Sequence, residues 1–109
     1  MSDTTVQPRT IDAAALADAR ADHETLLVQF QTNGCSICHS MEPVVGNVAR
    51  AVGVPAVFVN PRDPPGLVEK YQITSVPTLV VFRDGEPVAR LADGFVSGER
   101  LTAFLEDHI

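Results

Sequence analysis

The stretch TLLVQFQTNGCSICHSMEPVV, residues 25–45, runs from a short apolar segment through both cysteines of the chain into the start of an apolar stripe. TLLVQF is too short and too continuously apolar for an amphipathic helix. It has the pattern of a strand covered on both faces of a sheet. Beyond Cys35, the residues Met41, Val44, Val45, Val48 and Val52 recur at spacings of three and four, which predicts one helix of roughly four turns with a single apolar side. Pro43 falls inside it and is expected to kink it, since it removes a backbone donor and crowds the preceding turn. Cys35 therefore sits where a buried strand ends and a helix begins, the region where open α/β sheets usually place their sites.

Cys-x-x-Cys followed by His39 has several chemical readings. Covalent haem attachment needs thioether bonds on a helix tip and room for a macrocycle, whereas the flanking apolar residues are already claimed by a core. A structural zinc site wants four ligands, and beyond Cys35, Cys38 and His39 the other histidines, His23 and His108, are remote in sequence. An inert buried pair is the bland alternative. Redox chemistry fits the position best. Unpaired N–H groups and the positive end of the helix dipole stabilise a thiolate at Cys35, making it a nucleophile. Three residues on, Cys38 faces the same side, and a small tightening of the first turn closes a disulfide. Deeper in the turn, Cys38 stays protonated and waits to resolve a mixed disulfide formed by Cys35.

Outward from this segment the chain alternates. TIDAAALADARAD predicts a first helix capped by Asp12 or Thr10, with Ile11, Ala15, Leu16 and Ala19 on one face. VPAVFVN predicts a second buried strand, and PRDPPG a rigid loop whose last proline suits the first turn of a short helix bearing Leu67, Val68 and Tyr71. VPTLVVF, RDGE and PVARLA read as strand, tight Asp84–Gly85 turn and strand. Ser97 caps a closing helix with Glu99 in its first turn and Leu101, Phe104, Leu105 and His108 at helical spacing. Helix-separated strands pair in parallel and the hairpin adds an antiparallel edge. The expected fold class is α/β, a central mixed sheet with helices on both faces. Residues 1–10 are expected to be a flexible segment or an edge strand, and 11–109 a single domain.

The 109 residues carry a formal charge of −6 and only eight Lys and Arg, which disfavours nucleic acid and anionic membrane as partners. No segment has the eighteen or so consecutive apolar residues of a membrane span. The opening MSDTTVQPRT shows no basic n-region or apolar run, so a cytoplasmic protein is expected. Two cysteines in that compartment suggest a catalytic pair more than a structural disulfide.

With these features in view the sequence resembles the thioredoxin family from about Ile11 to Ile109. The resemblance rests on Phe30 five residues before Cys35, Pro43 eight after it, YQITSVPTLVVFRDGE around Pro77, Gly94 after the last strand, and the closing amphipathic helix. It implies the thioredoxin fold and a thiol–disulfide oxidoreductase acting on protein disulfides in the reducing direction. Cys35 attacks, Cys38 resolves, and there is no cofactor beyond the redox-active disulfide Cys35–Cys38. It also implies that Pro77 is a cis-proline beside the site, and that the Val76 backbone is the edge to which a substrate segment adds. A thioredoxin reductase or a small thiol would supply electrons to a monomer.

Four departures retune this expectation. Gly34 replaces the tryptophan usual before the first cysteine, and Ser36-Ile37 replaces the common Gly-Pro, so the rim of the substrate-binding site is smaller, more mobile and apolar at Ile37. Ile37, Val76 and Phe95 are candidates for an apolar grip on peptide. Gln29 stands where thioredoxins carry a buried aspartate, and Phe58 where its lysine partner would be. Loss of the pair together is understandable, since either charge alone in the interior costs several kcal/mol. Deprotonation of Cys38 is then expected to rely on water or on the leaving thiolate. His39 stands where a lysine is common, either simply exposed or, as an imidazolium, favouring the Cys35 thiolate. The rival reading is a thioredoxin-like binding or chaperone module whose cysteines are idle or act as a sensor.

Overall fold

Strand β2 (Thr25–Phe30) is the middle of the molecule, and five of its six residues are buried. A computed structural model describes residues 8–62 and 66–109. On one side β2 pairs in parallel with β3 (Ala56–Val59), and on the other it pairs antiparallel with β4 (Thr78–Arg83). The hairpin partner β5 (Glu86–Leu91) and a short strand β1 (Arg9–Ile11) close the two edges, giving the order β1-β3-β2-β4-β5. This is the mixed sheet that the sequence predicts. Asp84 and Gly85 both take positive φ, 53° and 84°, the type I′ turn whose twist matches the strands it joins.

Alternation along the strands divides the core. Leu27, Leu79 and Val81 face α2 (Ser36–Val52) and α4 (Gly98–His108), in one cluster with Met41, Val45, Val48, Leu101 and Leu105. Leu26, Val28, Phe30, Val80 and Phe82 face α1 (Ala13–Asp22) and α3 (Gly66–Tyr71), in a second cluster with Leu16, Leu67 and Tyr71. Each fully buried leucine or phenylalanine contributes ~1.5–3 kcal/mol by leaving water, so the two clusters fix the helices on their faces.

The helix ends follow their capping residues. Asp12 caps α1 by accepting from Ala15 N at 2.9 Å, and Ser97 caps α4 by accepting from Arg100 N at 3.1 Å. Gly53, at φ +83°, ends α2 with Gly53 N and Val54 N both on the Ala49 carbonyl. The helix continues as one element through Pro43. Arg20 leaves the last turn of α1 to donate to the Gly85 carbonyl and, at 2.6 Å, to Tyr71 Oη. Its guanidinium lies over the Tyr71 and Phe82 rings, 5.9 and 5.4 Å from their centroids. One side chain thereby ties α1, α3 and the hairpin turn together.

Ile11 belongs to β1 and not to the first helix, where its apolar spacing predicts it. Arg9–Ile11 pairs in parallel with Val57–Val59. Ile11 still packs against the cluster that holds Leu16, so its apolar character serves the same core from a strand. Of the segment 1–10, residues 1–7 lie outside the described residues, as do Asp63, Pro64 and Pro65 of the PRDPPG loop.

Candidate functional site

At the carboxyl end of β2 the chain turns through Thr32, Asn33 and Gly34 and enters α2 with Cys35 as N-cap. Cys35 N donates to the Thr32 carbonyl at 3.4 Å and His39 N to the Cys35 carbonyl at 3.1 Å, which fixes the turn and starts the helix. Gly34 takes φ +81°, and a Cβ there would meet nothing within 4 Å. Backbone conformation and not crowding suits glycine at this position. It leaves the approach to Cys35 uncovered.

Cys35 and Cys38 form a disulfide with Cα atoms 5.2 Å apart. The two sulfurs sit in different surroundings. Cys35 is half-exposed and its Sγ accepts from Cys38 N at 3.1 Å, so a helix-start N–H already points at the sulfur that would carry charge as a thiolate. Cys38 is 0% exposed. Between them Ser36 is exposed and Ile37 is 46% exposed, an apolar side chain on the helix tip.

Opposite the disulfide, the β2–β4 pairing ends at Phe30 and Thr78. This brings the Val76–Pro77 peptide, which is cis, beside the turn that carries Cys35. Thr32 and Val76 line the same cavity of about 120 Å³, and Thr78 Oγ1 closes the Ser75–Thr78 turn by donating to the Ser75 carbonyl at 2.6 Å. Pro77 is buried and Val76 half-buried. On the other flank, Val96 N contacts Met41 Sδ at 3.4 Å, holding the loop of Gly94 (φ +73°) and the 54% exposed Phe95 against the helix that bears Ile37.

Beneath the first turn, Gln29 is fully buried and its Nε2 donates to the Cys38 carbonyl at 3.3 Å and to Gln31 Oε1 at 2.8 Å. Phe58 is buried in the neighbouring cluster, so the pair that replaces the family's buried charges carries none. His39 is exposed, with Nδ1 3.4 Å from Glu42 Oε2, and Gln31 Nε2 donates to that same oxygen at 3.1 Å. Gln31 and Glu42 are members of the site that the sequence reading missed. Their one signal is spacing, Gln31 two residues after Gln29 and just past the end of β2, and Glu42 four after Cys38 on one helix face. His23 caps α1 and His108 lies against Phe104, both away from the cysteines. A cavity of about 500 Å³ lies at the other end of the sheet, lined by Ile11, Ala15, Leu26 and Val57, apart from the disulfide chemistry. Among the described residues, no three or more His, Cys, Asp or Glu gather as a metal site, and no helix is long and apolar enough to cross a membrane.

A half-exposed and a buried cysteine, joined at a helix start beside a cis-proline, suit a bond that is exchanged with another disulfide. The fold and the pair define the class, a thiol–disulfide oxidoreductase of thioredoxin fold. Residues 13–109 match the family described as a thioredoxin-like domain. A thioredoxin of Staphylococcus epidermidis is 32% identical over 94 residues, covering 84% of this chain and 89% of that protein. One from Mycobacterium tuberculosis is 29% identical over 85 residues, covering 76% and 73%. A mutant thioredoxin from Halobacterium salinarum superposes with a TM-score of 0.87 at 26% identity, covering 99% of this chain and 96% of that one. The chain belongs to the thioredoxin family. These likenesses favour the oxidoreductase over a binding module with idle cysteines.

Proposed function

We propose that this protein reduces disulfides of protein substrates, with Cys35 as the attacking thiolate and Cys38 as the resolving thiol. The observation that carries this is the asymmetry of the pair: the sulfur at the helix start is open to a partner and the other is enclosed. Cys35 attacks a substrate disulfide and one substrate thiol leaves. Cys38 then displaces the second, forming the Cys35–Cys38 bond and passing two electrons to the substrate. Gly34, Ser36 and Ile37 form the near side of the substrate-binding surface. The Val76 backbone and Pro77 form the far side, where an extended segment adds by main-chain hydrogen bonds. Gln29 and His39 modulate the pair.

A thioredoxin reductase or a small thiol returns the protein to the dithiol, so no further cofactor is needed. Residues 11–109 act as one monomeric domain, serving redox homeostasis in the cytoplasm. Insulin reduction tests the reading. The native chain turns over, Cys35→Ser abolishes turnover, and Cys38→Ser accumulates a mixed disulfide that identifies the substrate. A folded native chain that leaves insulin intact overturns it.

A further inference from the structure

The polar groups behind Cys38 form one directed chain. Gln29 Nε2 donates to the Cys38 carbonyl and to Gln31 Oε1, which uses both amide hydrogens, and Gln31 Nε2 donates to Glu42 Oε2. An ionised carboxylate only accepts, so the outer end sets the direction of the rest. Gln31 must turn its NH₂ to Glu42, and its carbonyl then meets the NH₂ of Gln29. What remains is Gln29 Oε1, buried and without a donor among the described residues. Glu42 is itself held from outside by His39 Nδ1, with its side chain 35% exposed.

A buried acceptor without a donor is rare enough to need an explanation. Reduction of the disulfide supplies one. When the Cys35–Cys38 bond takes up two electrons and two protons, the enclosed Cys38 becomes a thiol, and its S–H is a donor that does not exist in the oxidised form. The acceptor and this donor both belong to the region under the first turn of α2, where Gln29 already holds the Cys38 carbonyl.

We propose that Glu42 is a positioning residue of the redox centre: through Gln31 it fixes the direction of the buried Gln29 amide, so that Gln29 Oε1 accepts a hydrogen bond from the Cys38 thiol in the dithiol form. The inference rests on the reading of Cys38 as the enclosed resolving thiol. An amide carbonyl accepts a hydrogen bond but does not take the proton, so Gln29 favours the dithiol over the disulfide without acting as a base. The proton stays on Cys38 until resolution. As Cys38 Sγ bonds to Cys35 Sγ and the bond from Cys35 to the substrate breaks, it passes to the departing substrate thiolate.

Equilibration of the full chain with glutathione buffers, read by alkylation and mass, tests this. Gln29→Met removes the amide from a side chain of similar length and should shift the equilibrium toward disulfide about fivefold, the size of one hydrogen bond. Glu42→Gln, at a half-exposed position, lets both amides reverse and should shift it the same way by roughly two- to threefold. In the reduced protein the S–H stretching band that Cys38→Ser removes should lie at lower wavenumber in the native chain than in either variant. A shift in Gln29→Met with none in Glu42→Gln overturns the positioning role, and no shift in either overturns the hydrogen bond as well. If Gln29→Met fails to fold, Glu42→Gln decides alone. Neither readout uses a protein substrate, so a failure of the proposed function would show separately, as absent insulin turnover with these shifts intact.

Discussion

The two faces of the sheet are built from alternate residues of the same strands, yet they differ in what they do with polarity. Under α1 and α3 the core gathers Phe30, Tyr71 and Phe82, with Phe30 and Phe82 each 5.6 Å from the Tyr71 ring, and Arg20 closes it with its hydrogen bonds made at the rim. Under α2 and α4 the core is aliphatic at its centre, and toward Cys38 it admits Gln29, one of whose polar atoms has no donor among the described residues. The first face satisfies its polar groups in one state and serves stability. The second also borders the enclosed half of the disulfide, where Gln29 donates to the Cys38 carbonyl. Both faces carry stability, and what separates them is that only the second borders the redox pair.

Substitutions can break that separation or sharpen it. Phe82→Ala empties the first face and should cost about 3–5 kcal/mol in urea unfolding of the oxidised protein, while its equilibrium with glutathione stays within about twofold of native. A large redox shift there would end the distinction. Met41→Ala should cost ~2–5 kcal/mol on the other face. Unlike Phe82→Ala, it should also slow insulin reduction at equal folded fraction, because Val96 N loses its sulfur partner and the loop carrying Phe95 loosens. Arg20→Met leaves Tyr71 Oη and the Gly85 carbonyl without their donor, an expected loss of about 1–3 kcal/mol in thermal or urea unfolding with insulin turnover preserved. The smallest effect should come from the caps. Asp12→Ala on α1 and Ser97→Ala on α4 should each cost ~1 kcal/mol by denaturant midpoint, with neither altering the redox equilibrium.

Much of this arrangement is legible in the chain before any coordinates. TLLVQF coincides with β2 because a continuous apolar run bounded by polar turns has few other uses, and Asp84–Gly85 marks the hairpin because both positions need positive φ. The cysteines are placed by the strand before them and the stripe after them. β1 is not legible. Three residues hold too little periodicity to declare a strand, and Ile11 fits a helix face as well as it fits the edge beside β3. The polar chain behind Cys38 is hidden for a different reason. Gln31 follows β2 and Glu42 lies in α2, each is an ordinary residue in its local context, and only the packing of α2 over the end of β2 brings them within 3.1 Å. Gln29 alone gives a warning, as the one amide inside an apolar run.

The edges of the sheet have a consequence for life in a crowded solution. β1 offers an approaching chain only three residues of backbone. On the other edge β5 carries Pro87, which has no N–H to offer, and its pairing slips between Val81↔Ala89 and Phe82↔Pro87, leaving Val88 as the extra residue of a bulge. Arg90 adds a charge there, bent back to donate to the Tyr71 and Gln72 carbonyls. The protein thus keeps its own strand edges poor templates for a neighbouring chain, which guards it against aggregation through them.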